Sequence, residues 1–246
     1  MIIVGDIGNT EIKLCFFYNG TKKKYLFKTN SLNKKIIKKR FNFLRKKIYF
    51  KNAIISSVVP KTFNQIKKIF YSLYRVNCIE LKKLNLSRLI NIKVNKKEIG
   101  SDRLANAISV LNKKTNYIVV DFGTATTFDV INKNNYLGGV IAPGVSLSLK
   151  NLVKNASLIP NIKLQKSNSI IGKNTKQAVL SGFFWGYKGL INGIISKIKK
   201  KTNQKYKIIF TGGLAHLFNK DIKEKITIDK NLTINGLIKT SKYFNL

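Results

Sequence analysis

The sequence predicts an α/β protein of two similar halves, each built on a mixed sheet. Three observations carry this. One phrase occurs twice: Met1-Ile-Ile-Val-Gly-Asp6-Ile-Gly8-Asn9-Thr10 leads into the apolar run Ile12 to Tyr18, and Tyr117-Ile-Val-Val-Asp121-Phe-Gly123-Thr124-Ala125-Thr126-Thr127 leads into Phe128 to Ile131. Each copy reads as strand, tight glycine turn, strand. Strands are followed by helices in both halves. The 246 residues, 44% of them hydrophobic, are ample for one large core or two smaller ones. A turn of this kind aims backbone N–H groups and a hydroxyl at a phosphate, while the Asp holds or orients a cation. Two copies predict two half-domains facing one nucleotide.

The first half opens with strands at 2–6, 12–18 and 23–28. Residues 32–47 place Leu32, Ile36, Ile37, Phe41 and Leu44 among lysines, an amphipathic helical pattern. Ala53 to Val59 is a buried strand stopped by Pro60, residues 61–74 a helix, and Cys78 to Leu81 a short strand. Residues 82–99 read as loop with some strand. A helix starts at Ser101 or Asp102, near its N-cap, and runs to Leu111. The polar stretch 112–116 marks the boundary, giving domains 1–114 and 115–246. In the second half, strands are expected at 117–121, 126–131 and 136–141, and a helix at 147–153. An irregular stretch follows at 155–172, then a long helix from about Thr175 to Lys201. The last elements are a strand at 207–211, a local helix start at His216, a strand at 226–228 and a helix at 232–240. Gly182, Gly186, Gly189 and Gly193 share one face of the long helix. Glycine weakens helices, so such a row implies close approach of another backbone, either within the monomer or across a dimer.

The net charge is +37, with 47 Lys and Arg against 10 Asp and Glu. Basic surfaces bind nucleic acid through counterion release, so a nucleic-acid-binding or transcription-linked accessory protein is the alternative reading. Compositional bias explains the charge better: all but five of the basic residues are lysine, Asn and Ile are abundant, and the lysines are spread along the chain. Nucleic acid is therefore not the expected partner, although the positive field would draw in an anionic substrate such as ATP. The scarcity of acids makes Asp6, Asp102 and Asp121 informative, since each stands beside glycine in a short motif. Cys15 and Cys78 follow no metal or redox spacing and read as thiols of a reducing cytoplasm. With His216 the only histidine, a zinc site is not expected. The N-terminus shows no signal-peptide pattern, and no run of about 18 apolar residues predicts a membrane span.

Of the motifs, Asp6-x-Gly8-Asn9-Thr10 reads as a phosphate turn, with Lys13 able to add charge. Asp121-x-Gly123-Thr124-Ala125-Thr126-Thr127 is the stronger copy, because small and hydroxylated residues leave room for phosphate oxygens and supply donors. Thr211-Gly212-Gly213 is a third glycine turn at a strand end. Gly100-Ser101-Asp102-Arg103 sets a carboxylate beside one of five arginines at a helix start; Arg recognises carboxylates in a bidentate way that Lys does not match. Gly138 to Gly144 reads as a rigid small-residue loop that either shapes a pocket wall or ends a strand.

Together with Gly172-Lys-Asn-Thr175, these six motifs resemble, in order and over essentially the whole chain, those of type III pantothenate kinase within the actin, Hsp70 and sugar-kinase superfamily. The resemblance implies two ribonuclease-H-like α/β domains with mixed sheets around a nucleotide cleft. It implies ATP-dependent phosphorylation of pantothenate to 4'-phosphopantothenate, the first step of coenzyme A biosynthesis, with Asp102 as general base. ATP would be bound by Asp6, Ile7, Gly8, Asn9, Thr10, Glu11, Ile12 and Lys13, joined by Thr124. Pantothenate would be bound by Gly100, Ser101, Asp102 and Arg103, and by Thr175 across a homodimer interface. Asp121 would hold a monovalent cation, potassium or ammonium, and Mg2+ would accompany ATP. The family commonly has Ala where Ser101 stands, Tyr near Lys93 and Pro near Lys96.

Overall fold

A computed structural model describes residues 2–18, 21–42, 52–220 and 222–246. The chain forms two compact units, Met1–Leu111 with Asn231–Leu246, and Asn112–Lys230.

The first unit carries β1 (Ile2–Ile7), β2 (Glu11–Tyr18), β3 (Thr21–Lys28), α1 (Lys34–Arg40), β4 (Asn52–Ser57), α2 (Pro60–Tyr74), β5 (Asn77–Glu80), the two-residue β6 (Asn91–Ile92) and α3 (Ser101–Val110). Its sheet runs β3-β2-β1-β4-β5. β1 pairs antiparallel with β2 and parallel with β4. α2 shows why the sequence folds as it does. Pro60 sits at the first helical position, where no backbone donor is needed. Thr62, Ile66, Ile69 and Phe70 recur at helical spacing and are buried, and Phe70 joins Ile3, Ile55 and Phe16 in one core. α1 ends at Arg40; residues 43–47 of the longer helix expected there lie outside the described residues. The expected loop at 82–99 holds two 3-10 turns, Leu81–Lys83 and Leu86–Arg88, besides β6.

The second unit carries β7 (Asn116–Phe122), β8 (Ala125–Asn132), β9 (Asn135–Pro143), α4 (Val145–Asn155), α5 (Thr175–Thr202), β10 (Lys207–Gly212), α6 (Ala215–Phe218) and β11 (Ile226–Ile228). Its own strands run β9-β8-β7-β10-β11, with β7 antiparallel to β8 and parallel to β10. This is the order and the sense of the first unit. In both, the repeated phrase supplies the central strand, and its Asp is the second-to-last residue of that strand.

α5 is capped at its start: Asn174 accepts from the Gln177 N–H at 2.9 Å, and Gln177 accepts in return from the Lys173 N–H at 2.9 Å. Leu180, Phe184, Ile191 and Ile195 are buried along one stripe of it. Lys199, Lys200 and Lys201 fall in its last turn, where cations offset the helix dipole.

The last helix, α7 (Leu232–Tyr243), departs from the expected division at residue 115, because it belongs with the first unit. Gly236 lies so close to the Ala105 carbonyl of α3 that a Cβ would overlap it. The Thr233 hydroxyl donates to Asn106 Oδ1 at 2.8 Å in a buried contact. No described helix is long and apolar enough to cross a membrane.

Candidate active site

In the first unit, Asp6 pairs in register with Lys13 on β2 and Ser56 on β4. The turn that follows is held from both sides. The Gly8 N–H donates to the Glu11 carbonyl at 2.9 Å. Thr29, at the end of β3, donates its hydroxyl to the Gly8 carbonyl at 2.7 Å and its N–H to the Thr10 carbonyl at 3.1 Å. With those carbonyls tied back, Asn9, Thr10 and Glu11 stand exposed at the tip. The Ile7 and Ile12 side chains are fully buried, so these two residues can serve an anion only through the main chain. The Ser56 hydroxyl, beside Asp6, is buried with no hydrogen-bond partner among the described residues.

Gly100 is the N-cap of α3 in an extended conformation, and its carbonyl accepts the Leu104 N–H at 3.2 Å. The Asp102 carboxylate curls over the helix start and accepts from the Arg103 N–H at 2.8 Å. A Cβ on Gly100 would collide with that carboxylate, which accounts for glycine at this position. Asp102 and Arg103 are half-buried, whereas Ser101 is buried and its hydroxyl has no hydrogen-bond partner among the described residues.

In the second unit, Asp121 pairs with Thr127 on β8 and Thr211 on β10. Three glycines pack around the carboxylate and its turn. A Cβ on Gly123 would lie 3.6 Å from Asp121 Oδ1, and one on Gly212 only 2.6 Å away. Gly212 also has φ +86, a left-handed conformation that favours glycine. A Cβ on Gly144 would run into the Thr124 carbonyl. The Asp-x-Gly, Thr-Gly-Gly and Ala-Pro-Gly motifs, far apart in sequence, thus meet at one turn, where Gly123 and Thr124 are exposed. Thr175 is exposed at the first position of α5, after Gly172, which abuts the backbone of Gln177 and Ala178. The structure joins Asp6–Lys13 to one turn and Asp121, Thr124 and Gly212 to another.

A family model for type III pantothenate kinase matches residues 2–197. The chain belongs to that family. It is accordingly a kinase, and a type III pantothenate kinase from Pelagibacter ubique (strain HTCC1062) is 54% identical to it over 246 residues, 98% of each chain. Among solved structures, a Campylobacter jejuni protein described as a conserved member of the Baf family of transcriptional activators superposes with a TM-score of 0.66 at 21% identity, over 100% of both chains. A ROK family glucokinase from Streptomyces griseus superposes with a TM-score of 0.54 at 11% identity, over 98% of both. At these identities the likeness shows the fold: two mixed α/β sheets of the sugar-kinase type.

Family membership implies ATP and a divalent ion. Among the described residues, no group of three or more His, Cys, Asp or Glu is placed to hold a metal ion. Magnesium bound through one or two carboxylates together with substrate phosphates needs no such cage, and the exposed oxygen-rich turns at Asp6 and Asp121 suit that mode. For a monovalent cation, the Asp121 carboxylate is a hard oxygen donor, and glycine at 212 spares it the overlap that a Cβ would bring.

Sequence reasoning missed Thr29, whose two bonds shape the first turn, and Lys82, whose ammonium reaches the segment before Gly100. Both act through contacts between residues distant in sequence, which no short motif displays.

Proposed function

We propose that the chain transfers the γ-phosphoryl group of ATP to the hydroxyl of pantothenate, giving 4'-phosphopantothenate and ADP at the first step of coenzyme A biosynthesis. The observation that carries this is the carboxylate of Asp102, poised on the first turn of α3 behind Gly100 in a chain of this family. Asp102 takes the hydroxyl proton as the alcohol oxygen attacks phosphorus, and the bond from the γ-phosphorus to the bridging oxygen breaks. Arg103 holds the polar end of pantothenate, with the Gly100–Ser101 backbone beside it. The exposed turn from Asp6 through Lys13 binds the ATP phosphates, and so does Thr124. Magnesium bound with ATP offsets phosphate charge, and potassium or ammonium at Asp121 adds to that neutralisation.

We further propose a homodimer. The glycine face of α5 supports it: a Cβ at Gly182, Gly186, Gly189 or Gly193 would meet no atom within 4 Å among the described residues. The row therefore packs against none of the described residues. Thr175, exposed at the head of the same helix, is then available to the pantothenate site of the other subunit. A cytoplasmic setting suits the substrates and the two free, buried cysteines.

The test is an assay of ATP consumption with pantothenate, with and without potassium, on the wild type and Asp102→Asn. Expected are pantothenate-dependent turnover, stimulation by potassium, and a loss on the order of 100-fold or more in Asp102→Asn, the usual scale of general-base catalysis. Wild-type turnover in Asp102→Asn would refute the base assignment, and no pantothenate-dependent turnover would refute the kinase reading.

A further inference from the structure

Lys82 lies in the 3-10 turn that follows β5, and its position is fixed locally. Its N–H donates to the Glu80 carboxylate at 2.8 Å, and Leu81 beside it is fully buried. From this base its ammonium donates to two main-chain carbonyls, those of Lys97 at 2.9 Å and Ile99 at 2.8 Å. Ile99 immediately precedes Gly100, and its own side chain is buried. A second ammonium, that of Lys96, donates back to the Leu84 carbonyl at 3.3 Å. The segment entering α3 is thus laced to the turn after β5 by three ammonium–carbonyl bonds.

Because the peptide unit is planar, holding the Ile99 carbonyl orients the peptide that enters Gly100. Gly100 starts α3, and Asp102 lies two residues on. We propose that Lys82 is a positioning residue for the kinase reaction: its ammonium sets the approach of the chain to α3 and so the aim of the Asp102 carboxylate. This rests on the reading of Asp102 as the base. Lys82 touches neither reacting atom and acts only through the backbone it holds. α3 offers an internal control, since at its far end the Lys239 ammonium donates to the Leu111 carbonyl at 2.9 Å. That bond caps the same helix without touching the entry to Asp102.

The test compares Lys82→Met, Lys82→Arg and Lys239→Met. Lys82 and Lys96 line an open cavity of about 950 Å3 beside α2 and β5, so a methionine there leaves no sealed void. In Lys82→Met, kcat should fall by on the order of tenfold or more, as it does when a catalytic group is slightly misplaced. KM for ATP should stay within about twofold, since binding of the phosphates at the Asp6 turn is untouched. Amide hydrogen exchange should speed up across residues 95–103. Lys82→Arg should recover most of kcat, and Lys239→Met should lower thermal stability while keeping kcat. Wild-type kcat in Lys82→Met, unchanged exchange at 95–103, or an equal kcat loss in Lys239→Met would each overturn the proposal. A wild type inactive on pantothenate would remove the kinase reading and the catalytic role with it, while the exchange measurement would still show whether Lys82 holds the segment.

Discussion

Gly212 meets two demands that no other residue meets together. Its φ of +86 costs an L side chain about 1–3 kcal/mol, and a Cβ there would stand 2.6 Å from Asp121 Oδ1 and 2.7 Å from the Phe122 backbone. Gly212→Ala should therefore destabilise the fold by about 2 kcal/mol or more and displace the Asp121 carboxylate. Urea unfolding checks the first effect, and the loss of potassium stimulation of turnover checks the second. Ser101 points the other way. Its buried hydroxyl lacks a partner among the described residues, and such a group costs about 1–3 kcal/mol. Ser101→Ala should leave activity in place and raise the urea midpoint; a lowered midpoint would mean that the hydroxyl is satisfied. Cys78 gives a pH signature. Burial pushes its thiol from 9.0 up to about 12, so the folded state holds a proton that the unfolded state releases. This contribution is neutral below pH 9 and costs stability as pH climbs from about 9 toward 12. At pH 8 in the native protein, neither Cys78 nor the buried Cys15, whose pKa is also raised by burial, should react with iodoacetamide, whereas both should react in denaturant.

Among the elements, those with a strong local period were the legible ones. The helix read over 61–74, after the strand stopped by Pro60, stands as α2, which buries Thr62, Ile66, Ile69 and Phe70 at helical spacing. The glycine turns were legible because apolar strands flank them. What could not be read was set by tertiary contact. Nothing in the composition of 232–240 says that Gly236 must meet Ala105 and bring α7 to the first unit. The motif reading likewise could not show that Ile7 and Ile12 point into the core, because alternation along β1 and β2 becomes a direction only once the sheet exists. The glycine row on α5 was ambiguous for a similar reason: spacing tells which face is smooth but not what lies on it. With that face open, Gly189→Leu should leave the helical content of the monomer intact and shift sedimentation from dimer to monomer. It should also lower pantothenate affinity, because Thr175 would be withdrawn from the neighbouring subunit. An unchanged dimer in Gly189→Leu would place the interface elsewhere.

For the whole molecule, the charge is the property that local structure leaves unexplained. A net charge of +37 repels itself, which weakens the compact state, and it also attracts anionic substrates. Both effects are long-ranged, and the Debye length shrinks from about 30 Å at 0.01 M salt to about 10 Å at 0.1 M. Salt should therefore raise two observables together, one a gain in stability and the other a loss of substrate attraction. Added potassium chloride, with potassium already saturating, should raise the melting temperature by relieving repulsion. It should also raise KM for ATP by weakening attraction, while kcat stays level, because the proton transfer proposed for Asp102 is local. A surface evolved for nucleic acid would behave differently: duplex DNA would remain bound at about 0.2 M salt, with an affinity that falls steeply as salt increases further. If DNA is retained there, the lysines form a binding surface. If instead the melting temperature and KM rise together and DNA is released, the charge is a compositional background and not a binding surface.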